Sequence, residues 1–244
     1  MWVTRKLVMF GFFCFINGLK MPKYLKSCRE NDPELNKCAL KNGNDAIPYI
    51  VKGDRHYRIP NMIPFRVSLI EVDGGDSFNV KMRDLEIYGI DRIKLADIDI
   101  NIPEKKIKII LKSDLMEVGG TYEIDAKFLV LPIKGTGPAN ITLYNPVLTY
   151  TQEWGLKMKK GEFHLYIKNS QITYDVTKAI YNFDNLFNGN EELGVHTNRI
   201  LNENWAAVHS DLSSPVAKSI LSVINQILQN VYELIPYKYF FLHD

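Results

Sequence analysis

From Leu201 to Leu234 apolar residues return every three or four positions: Leu201, Trp205, Val208, Leu212, Val216, Ile220, Val223, Ile227, Val231 and Leu234. That spacing predicts one long helix carrying a single apolar stripe. Upstream, from about Tyr57 to Asp175, the period is two and predicts strands. Many strands followed by one long amphipathic helix point to an α+β fold in which a sheet wraps around that helix. Such a wrap leaves room for an elongated apolar space. The same pattern also fits an ordinary filled core.

The strand region carries its own detail. Phe78, Val80 and Met82 alternate with polar residues, and Leu85 and Ile87 continue one position out of phase. The same slip separates Ile93 and Leu95 from Ile98, Ile100 and Ile102. A one-residue slip turns the apolar face outward unless a bulge absorbs it. Bulges are therefore predicted near Arg83-Asp84 and Ala96-Asp97. Further strands are predicted at Ile107–Leu111, at Tyr122, Ile124, Ala126, Phe128 and Val130, at Ile141 and Leu143, at Phe163, Leu165 and Ile167, and at Ile172, Tyr174 and Val176. Gly135-Thr136-Gly137-Pro138 reads as a turn, and 181–194 as polar and turn-rich. Long strands with one polar face suit an antiparallel meander. Asp32-Pro33-Glu34 reads as a helix start, with Pro48 and Gly53 ending that helix. The stripe keeps its phase across Ser214-Pro215, which predicts a kink at Pro215. The aromatic end from Pro236 to Phe241 is expected to pack back on the body.

The first residues change the arithmetic of the rest. Arg5 and Lys6 precede the apolar run Leu7–Ile16, and Asn17-Gly18 offers a small residue for cleavage. Residues 1–18 are therefore read as a secretory signal peptide, too short to span a bilayer of about 30 Å; the alternative is a retained signal anchor. The remaining 19–244 form one domain and are expected outside the cell. The full chain has 30 basic and 28 acidic side chains; Arg5 and Lys6 leave with the leader, so the remainder balances at 28 of each. Charge gives no support to nucleic-acid binding. Cys14 also leaves, and Cys28 with Cys38 reads as one disulfide in an oxidising compartment, the alternative being two free thiols.

Catalytic and metal-binding patterns are missing. No Gly-x-Ser-x-Gly or His-Glu-x-x-His occurs, and His56, His164, His196, His209 and His243 are scattered. His209 lies beside the stripe, with a capping or surface role expected. Asp97-Ile98-Asp99-Ile100-Asn101 opens like a calcium loop, but Ile102 and Lys108 stand where Gly and Glu are needed. The chain is thus expected to be no enzyme and to hold neither metal nor cofactor. Asn140-Ile141-Thr142 is a glycosylation sequon; an occupied Asn140 points outward and turns Ile141 and Leu143 inward.

Several groups of residues, in order along the chain, carry a resemblance. They are Cys28-x3-Asp32-x3-Asn36-x-Cys38, Gly135-Thr136-Gly137-Pro138-Ala139-Asn140-Ile141-Thr142-Leu143, Asn202-Glu203-Asn204-Trp205, Pro215, and Pro236-Tyr237 with Phe240-Phe241. In these the chain resembles the insect juvenile-hormone-binding and takeout family. Hormone-binding members commonly carry a second disulfide; this chain has no cysteines for one and looks more like the takeout branch. The resemblance implies a highly curved antiparallel sheet around a long C-terminal helix, with a short disulfide-tied N-terminal helix. That fold is similar to the domains of bactericidal/permeability-increasing protein. It also implies a carrier that holds a terpenoid, quinone or fatty-acid-like lipid in an internal tunnel.

On that basis the expected tunnel lining is Phe78, Val80, Met82, Tyr122, Ile124, Ala126, Phe128, Val130, Ile141, Leu143, Phe163, Leu165, Ile167, Tyr174, Trp205, Val208, Leu212, Val216, Ile220, Val223, Ile227 and Val231. The hydroxyls of Tyr122 and Tyr174 are the candidates to orient a head group, and the segment 28–50 the candidate flap over the entrance. The partner is a hydrophobic small molecule; the protein is expected to be a monomer without stable membrane insertion. Two other functions fit the sequence: an interaction protein with a collapsed tunnel, and a lipid-transfer module working at a membrane surface.

Overall fold

The computed structural model describes residues 18–73, 78–128 and 131–242. The leader read at 1–18 lies outside them except for Gly18. So does Val130, while Phe78 and Phe128 are described in backbone only.

Nine strands make two antiparallel sheets. The first joins β2 (Phe65–Asp73), β3 (Phe78–Tyr88), β6 (Leu115–Phe128), β7 (Leu131–Tyr144) and β10 (Lys178–Phe183), in the order β10-β7-β6-β3-β2. The second joins β4 (Lys94–Asn101), β5 (Lys106–Lys112), β8 (Val147–Lys159) and β9 (Glu162–Asp175), in the order β4-β5-β8-β9. The two orders match across a seam, because β3 runs on into β4, β5 into β6, β7 into β8 and β9 into β10. Hydrogen bonds stitch neighbours along it: Thr177 N donates to Tyr144 O, Asn145 N to Asp114 O and Ser113 N to Pro146 O, at 2.9–3.1 Å. The curved sheet expected from the sequence is thus one set of strands bent at a common line.

Bulges fall where the alternation slips. The β3/β6 register shifts between Arg83 and Glu86, and the β4/β5 register between Leu95 and Asp97. A third shift lies in β8/β9, where Glu153 faces Asn169 but Trp154 faces Ile167, leaving Lys168 as the extra residue. Gly135-Thr136-Gly137-Pro138 is not a turn but the middle of β7. Its glycines admit a close neighbour: a Cβ on Gly135 would stand 2.8 Å from the Tyr122 hydroxyl, and one on Gly137 2.5 Å from Asp184 O. The chain leaving β10 crosses there.

The helices also depart from expectation. Helix α1 (Leu35–Ile50) begins after Asp32, whose carboxylate accepts from Glu34 N at 2.8 Å, and runs through Pro48. Residues 181–194 are not simply turns, since they hold the end of β10 and the start of α2 (Glu191–Glu203). The stripe divides at Asn204, while across Pro215 the helix runs on, as the unbroken phase there predicts. Helix α3 (Trp205–Leu234) continues through Pro215. Asn204 ends α2, with Nδ2 donating to Ile200 O at 2.8 Å, and opens α3 by accepting from Ala207 N and Val208 N. One residue is spent on the break, so the stripe keeps its phase. The last carbonyls of α3 are satisfied by three different segments: His164 Nδ1 meets Tyr232 O at 2.9 Å, Lys159 Nζ donates to Glu233 O at 3.1 Å, and Leu19 N donates to Leu234 O at 2.9 Å.

Helices close two open sheet edges by the same device. On α1, Asn44 accepts from Leu95 N at 3.0 Å and donates to Leu95 O at 2.8 Å, while Asn36 accepts from Ile100 N at 2.9 Å. On α2, Asn202 brackets Tyr181 at 2.7 and 2.8 Å, and Asn198 brackets Phe183 at 3.0 and 2.9 Å. Carboxamides read the bare ladders of β4 and β10, which are the exposed edges an isolated sheet would present to other chains. Cys28 and Cys38 form a disulfide that ties β1 (Cys28–Arg29) to α1. A loop this short contributes about 2–3 kcal/mol in the chain-entropy picture. The aromatic tail does pack back: β11 (Phe241–Leu242) pairs with β1, and the Tyr237 hydroxyl donates to Glu30 at 2.9 Å.

Candidate functional site

Two apolar clusters flank α3. The first packs Tyr122, Ile133, Ala139, Val176, Ala179, Tyr181, Phe183 and Leu186 of the five-stranded sheet against Leu201 and Val208, with Met82, Ile124, Ile141, Leu143, Trp205 and Leu212 around it. The second packs Tyr150 and Ile172 of the four-stranded sheet against Ala217, with Ile109, Leu148, Ile220, Leu221, Ile224 and Leu228. Tyr174 belongs to the margin of both. Helix α3 thus crosses the seam, its first turns on one sheet and its later turns on the other.

The helix face against the second sheet is Ala217, Ile220, Leu221, Ile224 and Leu228, which keeps Ile220 of the expected stripe and otherwise lies one position round from it. Val216, Val223, Ile227 and Val231 are half-buried and belong to neither cluster. Of the expected lining, Val80, Ala126 and Leu165 are buried and Ile167 half-buried. Phe163 stands apart. It is 53% exposed at the β8–β9 tip, facing Met158 across the hairpin. Asn140 is exposed, with Ile141 and Leu143 turned into the first cluster.

The polar groups inside fall into two kinds. A bridge between β8, β9 and α3 is fully paired. The Tyr150 hydroxyl lies 2.8 Å from Gln152 Oε1 and 3.1 Å from Asn225 Oδ1. Gln152 Nε2 donates to the Tyr232 hydroxyl at 3.1 Å, and Asn225 Nδ2 to Ser170 Oγ at 2.9 Å. None of these residues was singled out in the sequence. Their signal was there, as polar residues interrupting an apolar face, at Gln152 after Tyr150 and Asn225 beside Ile224. Such a network holds the helix at one rotation on the sheet.

The tyrosines differ from that bridge and from each other. Tyr122 is buried, its hydroxyl donates to Asp184 O at 2.7 Å, and its ring meets Phe183 edge-on. It is a core residue with a backbone partner, not a free head-group donor. Burial raises its pKa to about 12, and that of Tyr174 equally to about 12. The Tyr174 hydroxyl, by contrast, has no hydrogen-bond partner among the described residues, and neither does the hydroxyl of Tyr181, a residue the sequence reading passed over.

His209 is not on the surface. It is 8% exposed, edge-on to Tyr174, with Nε2 3.6 Å from Asp175 Oδ1. Burial lowers its pKa below the usual 6.5, and Asp175 opposes this more weakly. The folded protein therefore binds the proton less readily than the unfolded chain. Stability is unaffected at higher pH and falls as pH drops through about 6.5 and below. Chemical denaturation at pH 7.5 and pH 5.5 is expected to show this loss, and His209→Gln to remove part of it; an unchanged slope in the variant would assign the loss elsewhere.

Among the described residues no group of three or more His, Cys, Asp and Glu gathers to hold a metal, and no helix is long and apolar enough to cross a membrane. Segment 28–50, expected as a flap, is pinned to β4 through Asn36 and Asn44. Two of the open clefts among the described residues lie elsewhere. One of about 330 Å³ is lined by Asp99, Lys106, Gln152 and Ser170 among others, and one of about 310 Å³ by Met62, Ile63, Tyr88 and Arg92 among others. Neither includes a residue of the stripe.

The fold and its helix-in-sheet arrangement recur in known proteins. The circadian clock-controlled protein daywake of Drosophila melanogaster is 24% identical over 235 residues, covering 90% of this chain and 88% of daywake. A putative beta-carotene-binding protein of Schistocerca gregaria is 23% identical over 128 residues, about half of either chain. The crystal structure of Epiphyas postvittana Takeout 1 superposes with a TM-score of 0.80 at 21% identity, over 89% of this chain and all of that one. The model of the haemolymph juvenile hormone binding protein family matches residues 7–242, and the chain belongs to that family.

Proposed function

We propose that this protein is a secreted carrier that encloses one lipophilic small molecule between α3 and the bent sheet. Its family is one of hydrophobic-ligand binding proteins rather than enzymes. The observation that carries the reading is the half-burial of the inward apolar positions. Of the stripe residues that pack on the two clusters, Trp205, Leu212 and Ile220 are half-buried, and so are Met82, Ile124, Ile141 and Leu143 on the facing strands. A close-packed interior leaves few voids and covers such side chains fully. Aliphatic residues that face inward yet stay accessible border unfilled space.

Affinity for a terpenoid, quinone or acyl chain then comes mostly from area, at about 25 cal/mol per Å² removed from water, before the costs of association. The carrier leaves the cell by way of the leader at 1–18, and Asn140 on the outer face of β7 is the position for a glycan. A fluorescent apolar probe such as N-phenyl-1-naphthylamine tests the reading. Saturable binding at one probe per chain, displaced by isoprenoid or acyl lipids, supports it; absence of any saturable signal argues for the receptor-binding alternative. Transfer at a lipid surface has one observation behind it. Met158 and Phe163, 60% and 53% exposed, stand together at the β8–β9 tip beside Lys157, Lys159 and Lys160. Cosedimentation with anionic vesicles tests that second reading.

A further inference from the structure

Tyr181 is 4% exposed, yet its hydroxyl has no hydrogen-bond partner among the described residues. No fully enclosed side-chain oxygen or nitrogen among them is left unpaired. The Tyr181 oxygen therefore meets open space, although the rest of the side chain is covered. Tyr174, on the margin of both apolar clusters, carries a second hydroxyl without a hydrogen-bond partner among the described residues. Tyr174 packs against the apolar cluster that holds Tyr181, and burial, with the Tyr174 phenol as the smaller cause, holds the Tyr181 hydroxyl well above the ordinary phenol range. Both are thus O–H donors at any physiological pH. They sit where β9 passes into β10, at the seam, against the first turns of α3. In an apolar interior a donor without an acceptor is costly. The neighbouring tyrosines avoid that cost: Tyr122 uses Asp184 O, and Tyr150 uses Gln152 and Asn225.

We propose that Tyr174 and Tyr181 form the polar recognition point of the ligand space, and that they take an uncharged oxygen acceptor, a ketone, ester, ether or epoxide, on an otherwise apolar molecule. This rests on the carrier reading above and adds the chemistry of the head group. An acceptor between the two hydroxyls satisfies both donors at once. A carboxylate head is disfavoured, because its charge is desolvated there and the titratable group against the pair, His209, edge-on to Tyr174, is held toward its neutral form by burial. Neighbouring side chains hold both tyrosines in place. Asn202 fixes the backbone of Tyr181 at both N–H and C=O, and His209 meets the Tyr174 ring edge-on.

The test compares three probes of one chain length, pentadecane, 2-pentadecanone and pentadecanoate, each displacing N-phenyl-1-naphthylamine from the wild-type protein and from Tyr174→Phe/Tyr181→Phe. Ratios between variant and wild type cancel differences in probe solubility. The variant is expected to lose about ten-fold in affinity for the ketone, while binding the hydrocarbon within two-fold of wild type. Equal ketone affinity in both proteins overturns the proposal, as does displacement by the carboxylate that exceeds that by the ketone. If wild-type protein binds the fluorescent probe and none of the three, the head-group assignment fails alone; if it binds no probe at all, the carrier reading fails with it. Each Phe variant is also tested singly, so that a folding defect in the double variant still leaves a readable comparison.

Discussion

Replacing Ala126 with Trp is expected to abolish lipid uptake while leaving a folded protein. Ala126 is buried on β6, two residues along from Ile124 and four from Tyr122, and so on the same inward face. Its cross-strand partner on β7 is Ile133, in the first apolar cluster. An indole at this position fills space that an acyl or isoprenoid chain needs. Overpacking costs stability as well, about 1–3 kcal/mol, which a chain held by its disulfide, its seam and its helix clamps tolerates. Truncations act differently. Ile227→Ala removes one side chain from a contact spread over many, and is expected to weaken uptake by only a few-fold. The control is Lys127→Trp, one residue on and exposed, which leaves uptake as it was. Equal loss in Lys127→Trp and Ala126→Trp would mean that the defect is in folding, not in the wall.

Asn202→Ala is expected to be among the most destabilising substitutions in the chain, by about 2–4 kcal/mol in chemical denaturation. Its carboxamide accepts from Tyr181 N and donates to Tyr181 O, and alanine strands both backbone groups on an edge strand. Asp at the same position keeps the acceptor but sets a second oxygen against the Tyr181 carbonyl oxygen, so it is not a rescue. Asn198→Ala strands Phe183 in the same way. The two clamps share one strand and one helix, so the double variant is expected to deviate from the sum of the singles. A loss under 0.5 kcal/mol for Asn202→Ala would show that water replaces the carboxamide and that the edge is not held by α2. The substitution is also expected to loosen the position of the Tyr181 hydroxyl.

Where the sequence carried a period, it was legible. The slips at Arg83-Asp84 and Ala96-Asp97 located two bulges, and the stripe located α3. The third bulge had the same signature, because Phe163, Leu165 and Ile167 are odd-numbered and Ile172, Tyr174 and Val176 even. Read as two strands, they hid Lys168 as the extra residue in one. Gly135 to Pro138 looked like a turn since glycine and proline are turn residues. Here the glycines instead admit a crossing chain, a contact distant in sequence that no local pattern encodes. The break at Asn204 was hidden by the phase it preserves. Asn36 and Asn202 stood out only as parts of the resemblance, and Asn198 not at all; that they read strand edges depends on where the helices lie. For the site, composition and family pointed to an apolar interior. Which hydroxyl is spent on a backbone carbonyl and which is free, Tyr122 against Tyr174 and Tyr181, is decided by the neighbours of each oxygen in space.

If the space beside α3 holds a lipophile, the molecule comes through purification with the protein. The direct measurement is organic-solvent extraction of the protein purified from secreting cells, with mass spectrometry of the extract. A stoichiometric, oxygen-bearing but uncharged terpenoid, quinone or acyl species is expected. An empty extract, together with no displacement of a fluorescent lipid probe by any lipid offered, would contradict the carrier reading.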